Sequence, residues 1–523
     1  MTLTTETKVL WRNVNRAAAA VLAAGLILVG AESARAQGVA KAAPPQKLSL
    51  EEAVALARQQ SPDYEIARNN VADADWTVRA AYGALLPTAS VNTGYQYQAS
   101  GSPQIGGGFT SQDLGLSRSP SYYSSSWGLN IGYSISGSVL FAPRQVKASR
   151  RAVAARTEAT GALLDSDVAR QYLAVLAAQD AVKLTREQLA SASENLRLAT
   201  ARVNVGTAIP LEAKQAQVEL GRAQVAVLKA DNQLAAEKLR LSEKIGLELP
   251  RDVTLTSTFE VFTPPWTEAD LLDRAMRRQP QLRAAAADED AARAVVQASR
   301  TQYLPSLDVA IGFSGYARQA GDAQSLVRSA QSGLQSQITE CQLLNNISAG
   351  LKSPLPNTPA DCGVFTLTPA QERAILDGNN VFPFHYASQP WYAQARISLP
   401  IFSGLSRERQ LQSAKLSVQD ARLRTEAAIL SVRTAVSTSY ATLVTAQKAF
   451  EIEKANREAA AEQLTLEQER YRVGSSNFVQ LQDAQTRKAL ADKSYVDALY
   501  GFHDALAVLE NAVGEKLTTP KDK

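Results

Sequence analysis

The stretch that decides the fold runs from Val168 to Thr207: VARQYLAVLAAQDAVKLTREQLASASENLRLATARVNVGT. Val168, Val175, Val182, Leu189, Leu196 and Val203 recur at every seventh position. Three residues after the first five come Gln171, Ala178, Thr185, Ala192 and Ala199. A strict seven-residue apolar repeat sets a left-handed supercoiled seam, and small residues at its second position let helices approach closely. Val205-Gly206-Thr207 interrupts the pattern, which resumes with Leu220, Val227, Leu234 and Leu241 and with Ala216, Ala223 and Ala230. The reading is a helical hairpin over 138–246 whose outgoing arm is about 100 Å long at about 1.5 Å per residue.

Upstream, LSLEEAVALARQQ (48–60) reads as an amphipathic helix with Ser49 as N-cap and Glu52 at the capping-box position. Pro62 opens a second helix to about Gly83, and Pro87 stops it. Residues 88–98 and 126–136 then alternate apolar with small or polar residues, the signature of strands with one apolar face. The Gly/Ser-rich residues 99–125 between them read as a loop.

The whole arrangement occurs twice. A shift of 218 maps Pro62 onto Pro280 and Leu86-Pro87 onto Leu304-Pro305. A shift of 268 maps Tyr172 onto Tyr440, Gly206 onto Gly474 and Gly246 onto Gly514. The difference is one insertion, over about 316–390. The first repeat is therefore 37–246 and the second 266–514, with strands at about 305–315 and 391–402 and a second hairpin over 404–514. Residues 247–265 are a linker with a candidate short strand, and 515–523 a polar tail. In the second hairpin the heptads run through Val436, Leu443, Phe450, Leu464 and Tyr471, broken once at Arg457.

Residues 1–36 read as an export signal: Lys8, Arg12 and Arg16, an apolar run over 17–29, then Ala34-Arg35-Ala36 as cleavage site. No other stretch approaches 18 consecutive apolar residues, so no membrane-spanning helix is expected. The net charge of +4, with both signs interspersed along helix faces, gives no indication of nucleic-acid binding. Two histidines, two methionines, no phosphate loop and no CxxC leave no constellation for an enzyme, a cofactor or a metal.

Each strand has the length a tilted strand needs to cross a bilayer. Tyr95, Tyr97, Trp127, Tyr133, Phe313, Tyr316 and Trp391 lie within or at the ends of the strands, as interface aromatics would. Four strands cannot close a barrel, and open edges facing lipid leave backbone groups unpaired, so the chain must oligomerise. Two copies give eight strands and three give twelve. An ordinary half-buried soluble sheet is the other reading, but no flanking sequence supplies a core for it.

The segments ARVNVG (201–206), ERYRVG (469–474) and LQDAQ (481–485), with the duplicated order of helix pair, strand, loop, strand and long hairpin, resemble the TolC family of outer-membrane efflux proteins. The resemblance implies a mostly α fold with transmembrane β. It would be a homotrimer with a 12-stranded outer-membrane β-barrel continued by a periplasmic α-helical barrel. It implies an exit duct for an efflux pump or type I secretion system, contacting outer-membrane lipid. Its partners would be a periplasmic membrane-fusion adaptor and an inner-membrane efflux or ABC-type transporter. It places adaptor contacts at Val205, Gly206, Thr207 and Val473, Gly474, Ser475. It makes Asp483 a constriction acid, with Gln480 where a second acid would stand. It matches Tyr471 and Glu212 to a gate lock whose arginine falls at Ser476, leaving Arg470 or Arg472 as stand-ins. A trimeric adhesin or a structural coiled-coil protein is the competing reading, although an adhesin would carry its four strands contiguously. Cys341 and Cys362, the only cysteines, lie in the inserted loop of an exported chain. A disulfide is expected there, two free thiols being the alternative.

Overall fold

The computed structural model describes residues 45–101, 119–353, 355 and 361–517. The signal segment 1–36, most of the loop 99–125 and the end of the polar tail lie outside the described residues. The first repeat contains β1 (Lys47–Leu48), α1 (Leu50–Gln60), α2 (Pro62–Gly83), β2 (Thr88–Gln98), β3 (Tyr122–Ile135), α3 (Gly137–Asn204) and α4 (Pro210–Ile245). After β4 (Thr254–Leu255) come α5 (Glu268–Arg278), α6 (Pro280–Arg300) and β5 (Ser306–Ala320). The insertion carries α7 (Gln324–Gly350), α8 (Pro369–Gly378) and β6 (Ala387–Ser388). The chain continues through β7 (Tyr392–Ser398), α9 (Ser406–Arg472) and α10 (Phe478–Val513). Two compact units cut across the repeats. Among the described residues, one comprises those up to Asp73, those of Ala152–Ala287 and those from Arg422; the other comprises those of Ala74–Arg151 and Asp288–Ala421.

In the first unit, Ser49 and Glu52 make the reciprocal capping box at the start of α1, which pairs two otherwise free N–H groups. The heptad residues then meet the leader segments in two cores that share a set of equivalent positions. Leu48, Ala53, Ala57, Val168, Tyr172, Val175, Leu241 and Ile245 are buried in one. Trp266, Leu271, Ala275, Val436, Leu443, Leu509 and Val513 are buried in the other, with Tyr440 packed against it. Every pair is related by the shift of 218 or 268. Even the buried hydrogen bond repeats: Tyr172 donates to the Leu48 carbonyl at 2.8 Å, and Tyr440 to the Trp266 carbonyl at 3.1 Å. The linker strand β4 pairs parallel with β1.

The break in the second heptad series has a local cause. Arg457 Nε donates to Asp492 Oδ1 at 2.9 Å, and its guanidinium lies 4.5 Å from the Tyr495 ring centroid. Lys488 also reaches Asp492, whose side chain is nearly buried. A charge in a seam is tolerated only when paired in this way. In the first hairpin the seam residue Gln171 likewise bonds Glu237, which Gln233 and Arg240 also contact. One stretch of α9 is long and apolar enough to cross a membrane by length and composition alone, a feature the sequence reading did not expect. The same helix buries Val436 and Leu443 in the second core, as a packed helix does.

In the second unit, β2, β3, β5 and β7 form an antiparallel sheet in that order, with β6 beside the far end of β5. β2 has the bounds read from the sequence, but β3 begins four residues before 126 and β5 runs five beyond 315. Their register, Tyr122↔Ala320 to Ile135↔Leu307, carries the ladder into residues read as loop. β7 stops at Ser398, short of 402, because Pro400 has no N–H to donate. The register aligns Val91, Leu129 and Phe313 on one face, together with Tyr95, Tyr97, Trp127 and Tyr133. Trp391, just before β7, belongs to the same alternation. The other face is polar: Asn130 donates to Asn92 at 2.9 Å and Ser134 to Asp308 at 2.7 Å. Tyr316 stands opposite Ser126 and so falls on this polar face, unlike the other aromatics expected at the interface.

Within the first unit, His503 on α10 is buried between Phe259 and Phe502, at 5.0 and 5.1 Å, and its Nε2 has no hydrogen-bond partner among the described residues. Burial pushes its pKa down to about 4 from the ordinary 6.5. The unfolded chain therefore takes up a proton below pH 6.5 that the folded chain refuses, so stability falls as pH drops from 6.5 to 4. The loss from this one group is about 3 kcal/mol. Thermal unfolding of the purified protein should show this slope, and His503→Phe should flatten it over that window.

Candidate functional site at the hairpin tips

Both hairpins turn in the same way. Gly206 and Gly474 are left-handed, with φ of 79° and 82°. Thr207 N donates to the Arg202 carbonyl and Gly206 N to that of Val203, at 2.9 and 3.0 Å. Ser475 N and Gly474 N repeat these bonds to Arg470 and Tyr471, at 2.9 and 3.2 Å. This is the Schellman arrangement, which closes the carbonyls left open at a helix end and needs a residue free to adopt positive φ. The tips display apolar side chains: Val205 is 74% and Val473 71% exposed, and Ile209, Leu211 and Val479 are exposed beside them.

Just behind the turns the two hairpins are tied together. Tyr471 is 3% exposed and packs with Ala199, Ala216, Phe478 and Leu481. Its hydroxyl donates to Glu212 Oε2 at 3.2 Å. Burial, reinforced by Glu212, raises the phenol's pKa, so it remains a donor. The arginine in this cluster is Arg202. Its guanidinium sits 4.4 Å from the Tyr471 ring centroid, and its Nη1 donates to the Tyr471 carbonyl at 3.2 Å. One side chain from each of α3, α4 and α9 therefore converges on one point.

Neither stand-in suggested by the sequence takes part. Arg470 pairs with Glu467 and Arg472 with Glu469, each on its own helix. Ser476 Oγ lies 2.9 Å from Glu467 Oε2 and 2.8 Å from Gln480 Oε1. Gln480 closes a capping box with Asn477 at the start of α10, a structural task for that side chain. Asp483 is exposed and paired with Arg487, four residues on, at 2.8 Å. The sequence signal for Arg202 is the repeat itself: a shift of 268 carries it onto Arg470, one of the two stand-ins.

Away from the tips, Cys341 and Cys362 are joined by a disulfide with Cα atoms 5.8 Å apart. Among the described residues, no group of His, Cys, Asp or Glu could hold a metal ion.

Comparison with known proteins agrees with this architecture. Over 158 residues the chain is 33% identical to the pyoverdine export outer membrane protein OpmQ of Pseudomonas aeruginosa, covering 30% of this chain and 33% of that one. Over 147 residues it is 25% identical to the cobalt-zinc-cadmium resistance protein CzcC of Cupriavidus metallidurans, covering 28% and 35%. The chain thus matches about a third of the length of these curated relatives. The fold matches the Campylobacter jejuni CmeC outer membrane channel with a TM-score of 0.64 at 16% identity, over 89% of this chain and 85% of that one. The outer membrane efflux protein family model matches residues 53–247 and 372–515, more than half of the sequence, and the chain belongs to that family.

Proposed function

We propose that this chain is the outer-membrane exit duct of a tripartite efflux pump or type I secretion system. Three copies would close twelve strands into a barrel, with the long hairpins forming a periplasmic tunnel. The observation that carries this reading is the sheet of β2, β3, β5 and β7, flanked by the short β6, with one apolar face and edges at β2 and β7 that are unpaired among the described residues. Lipid cannot satisfy the backbone groups of such edges, whereas an identical neighbour can. The polar face, with Asn92, Asn130, Ser134 and Asp308, would line the lumen. A structural coiled coil or an adhesin has no use for a sheet of this kind split between two hairpin-bearing repeats.

The exposed apolar tips at Val205 and Val473 fit docking to a periplasmic adaptor, which would bring an inner-membrane transporter into line. The Arg202–Tyr471–Glu212 tie holds the two hairpins of one chain together next to those tips and so favours a closed tunnel mouth. Asp483 contributes a charge that Arg487 partly offsets. Cargo passes through a duct of this kind without chemistry on the chain.

Crosslinking from Cys residues placed at Val205 and Val473 should capture one adaptor species, and the unheated protein should migrate as a trimer from outer-membrane fractions. A monomer in the soluble fraction would overturn the duct. Arg202→Ala removes a stacked cation and a charge-assisted hydrogen bond, together about 2 kcal/mol. It should raise the conductance of the resting channel in planar bilayers, and Arg202→Lys should fall between. If Tyr471→Leu, which removes both the ring and the hydroxyl, and Arg202→Ala add without coupling, the tie is not one unit. Asp483→Ala should weaken block by divalent cations, whereas Arg487→Ala should strengthen it; equal effects of both would refute the charge argument.

A further inference from the structure

The insertion returns to the sheet through an unusual stretch. Residues 378–395 contain no Lys, Arg, Asp or Glu and carry Phe382, Phe384, Tyr386, Trp391 and Tyr392. The segment is fastened onto the apolar face at the end of the sheet where β2 ends and β3 begins. Asn379 Oδ1 accepts from Ala320 N at 2.7 Å, and its Nδ2 donates to the Ala320 carbonyl at 2.9 Å. Phe382 N donates to Gln319 Oε1 at 3.0 Å, and Ser125 Oγ donates to the Pro383 carbonyl at 2.5 Å. The Phe382 ring then lies 6.3 Å from Tyr95 and 5.6 Å from Tyr123, which itself packs 4.9 Å from Tyr97. Phe384 is left 69% exposed and Trp391 65%.

We propose that this segment of the insertion is a membrane-interface anchor: it folds back over the apolar face and seats Phe384 and Trp391 among the lipid headgroups and upper acyl chains of the outer leaflet. The inference rests on the reading of that face as lipid-facing. Three observations favour lipid as the occupant. The covered face is continuous with the apolar surface of Val91, Leu129 and Phe313. Charge, which lipid contact penalises, is absent over the whole segment. Trp391 is a ring with a polar N–H edge, the kind that settles at a bilayer interface, and Phe384 adds a wholly apolar ring beside it. The anchor also accounts for the length of β3 and β5. Each exceeds the nine to eleven or so residues that a crossing strand needs, and their surplus ends are the part the segment covers.

The test is nitroxide labelling of Phe384→Cys in the full chain, the two native cysteines being engaged in their disulfide. The labelled protein is reconstituted in phosphatidylethanolamine–phosphatidylglycerol vesicles, with labels at Val91→Cys and Gln337→Cys as references. Circular dichroism confirms folding of each variant. At position 384, accessibility to oxygen should exceed accessibility to a nickel chelate several-fold, as at Val91. The chelate should dominate at Gln337, on the exposed surface of α7. A chelate-accessible label at 384 with a lipid-embedded Val91 would overturn the anchor alone. A label at 384 shielded from both reagents would mean that a second copy covers it, and would also overturn the anchor. A chelate-accessible Val91 would remove the lipid-facing reading, and the anchor with it.

Discussion

Helices of 68 and 67 residues depend on continuous lateral packing. Intrinsic propensity stabilises an isolated helix only marginally, so the stability of such an arm comes from the stripe it buries. The seven-residue repeat keeps that stripe on one side from Val168 to Val203 and, with one break, from Val436 to Tyr471, and the contacts around it adapt to it. Alanine and threonine occupy the second seam position so that a partner can approach. Where the seam must carry a polar group, the group is paired: Gln171 with Glu237, and Arg457 with Asp492. These contacts also set register, because sliding by one heptad would bury Arg457 or Asp492 without its partner.

The duplication shows which contacts the seam requires. Eight core positions correspond between the repeats, including the two tyrosines that hold the leader segments. The glycines that end α4 and α10 correspond as well. A Cβ on Gly246 would lie 2.4 Å from the Gln60 carbonyl oxygen, and one on Gly514 would lie 2.7 Å from Gln279 Cα. The polar pins do not correspond. Glu237 maps onto Ala505, and Asp492 maps back onto Gln224. Packing is thus shared by the two halves, whereas each half fixes its register with its own charges.

Much of this was legible because it is periodic or local. Heptads, strand alternation, the Ser49 capping box and the offsets of 218 and 268 each rest on a short repeat or a single turn. Strand ends were less legible because pairing partners decide them: Tyr122–Ser125 look like a Ser-rich loop and become strand only against Ala317–Ala320. The sequence reads the insertion as a loop, whereas it holds α7 and α8. Its place on the sheet depends on contacts between residues far apart in sequence, such as Asn379 with Ala320. The facing of Tyr316 followed from register rather than from its being aromatic.

The tips show how a repeat both guides and misleads. Arg202 and Arg470 are equivalent by the shift of 268, yet their surroundings differ. The residue following Arg470 is Tyr471, and its counterpart after Arg202 is Val203. A guanidinium gains from lying over an aromatic face and gains no such attraction from a valine. Arg202 therefore reaches across to the other hairpin, where a ring and a backbone carbonyl await it. Arg470 has no matching ring at the Val203 position, and it folds back onto Glu467. The carboxylates follow the same logic: Glu212 accepts from Tyr471, while its counterpart Gln480 caps its own helix. The substitution of tyrosine for valine at one of two equivalent positions thus places the tie, and that asymmetry confines it to one of the two repeat-related junctions.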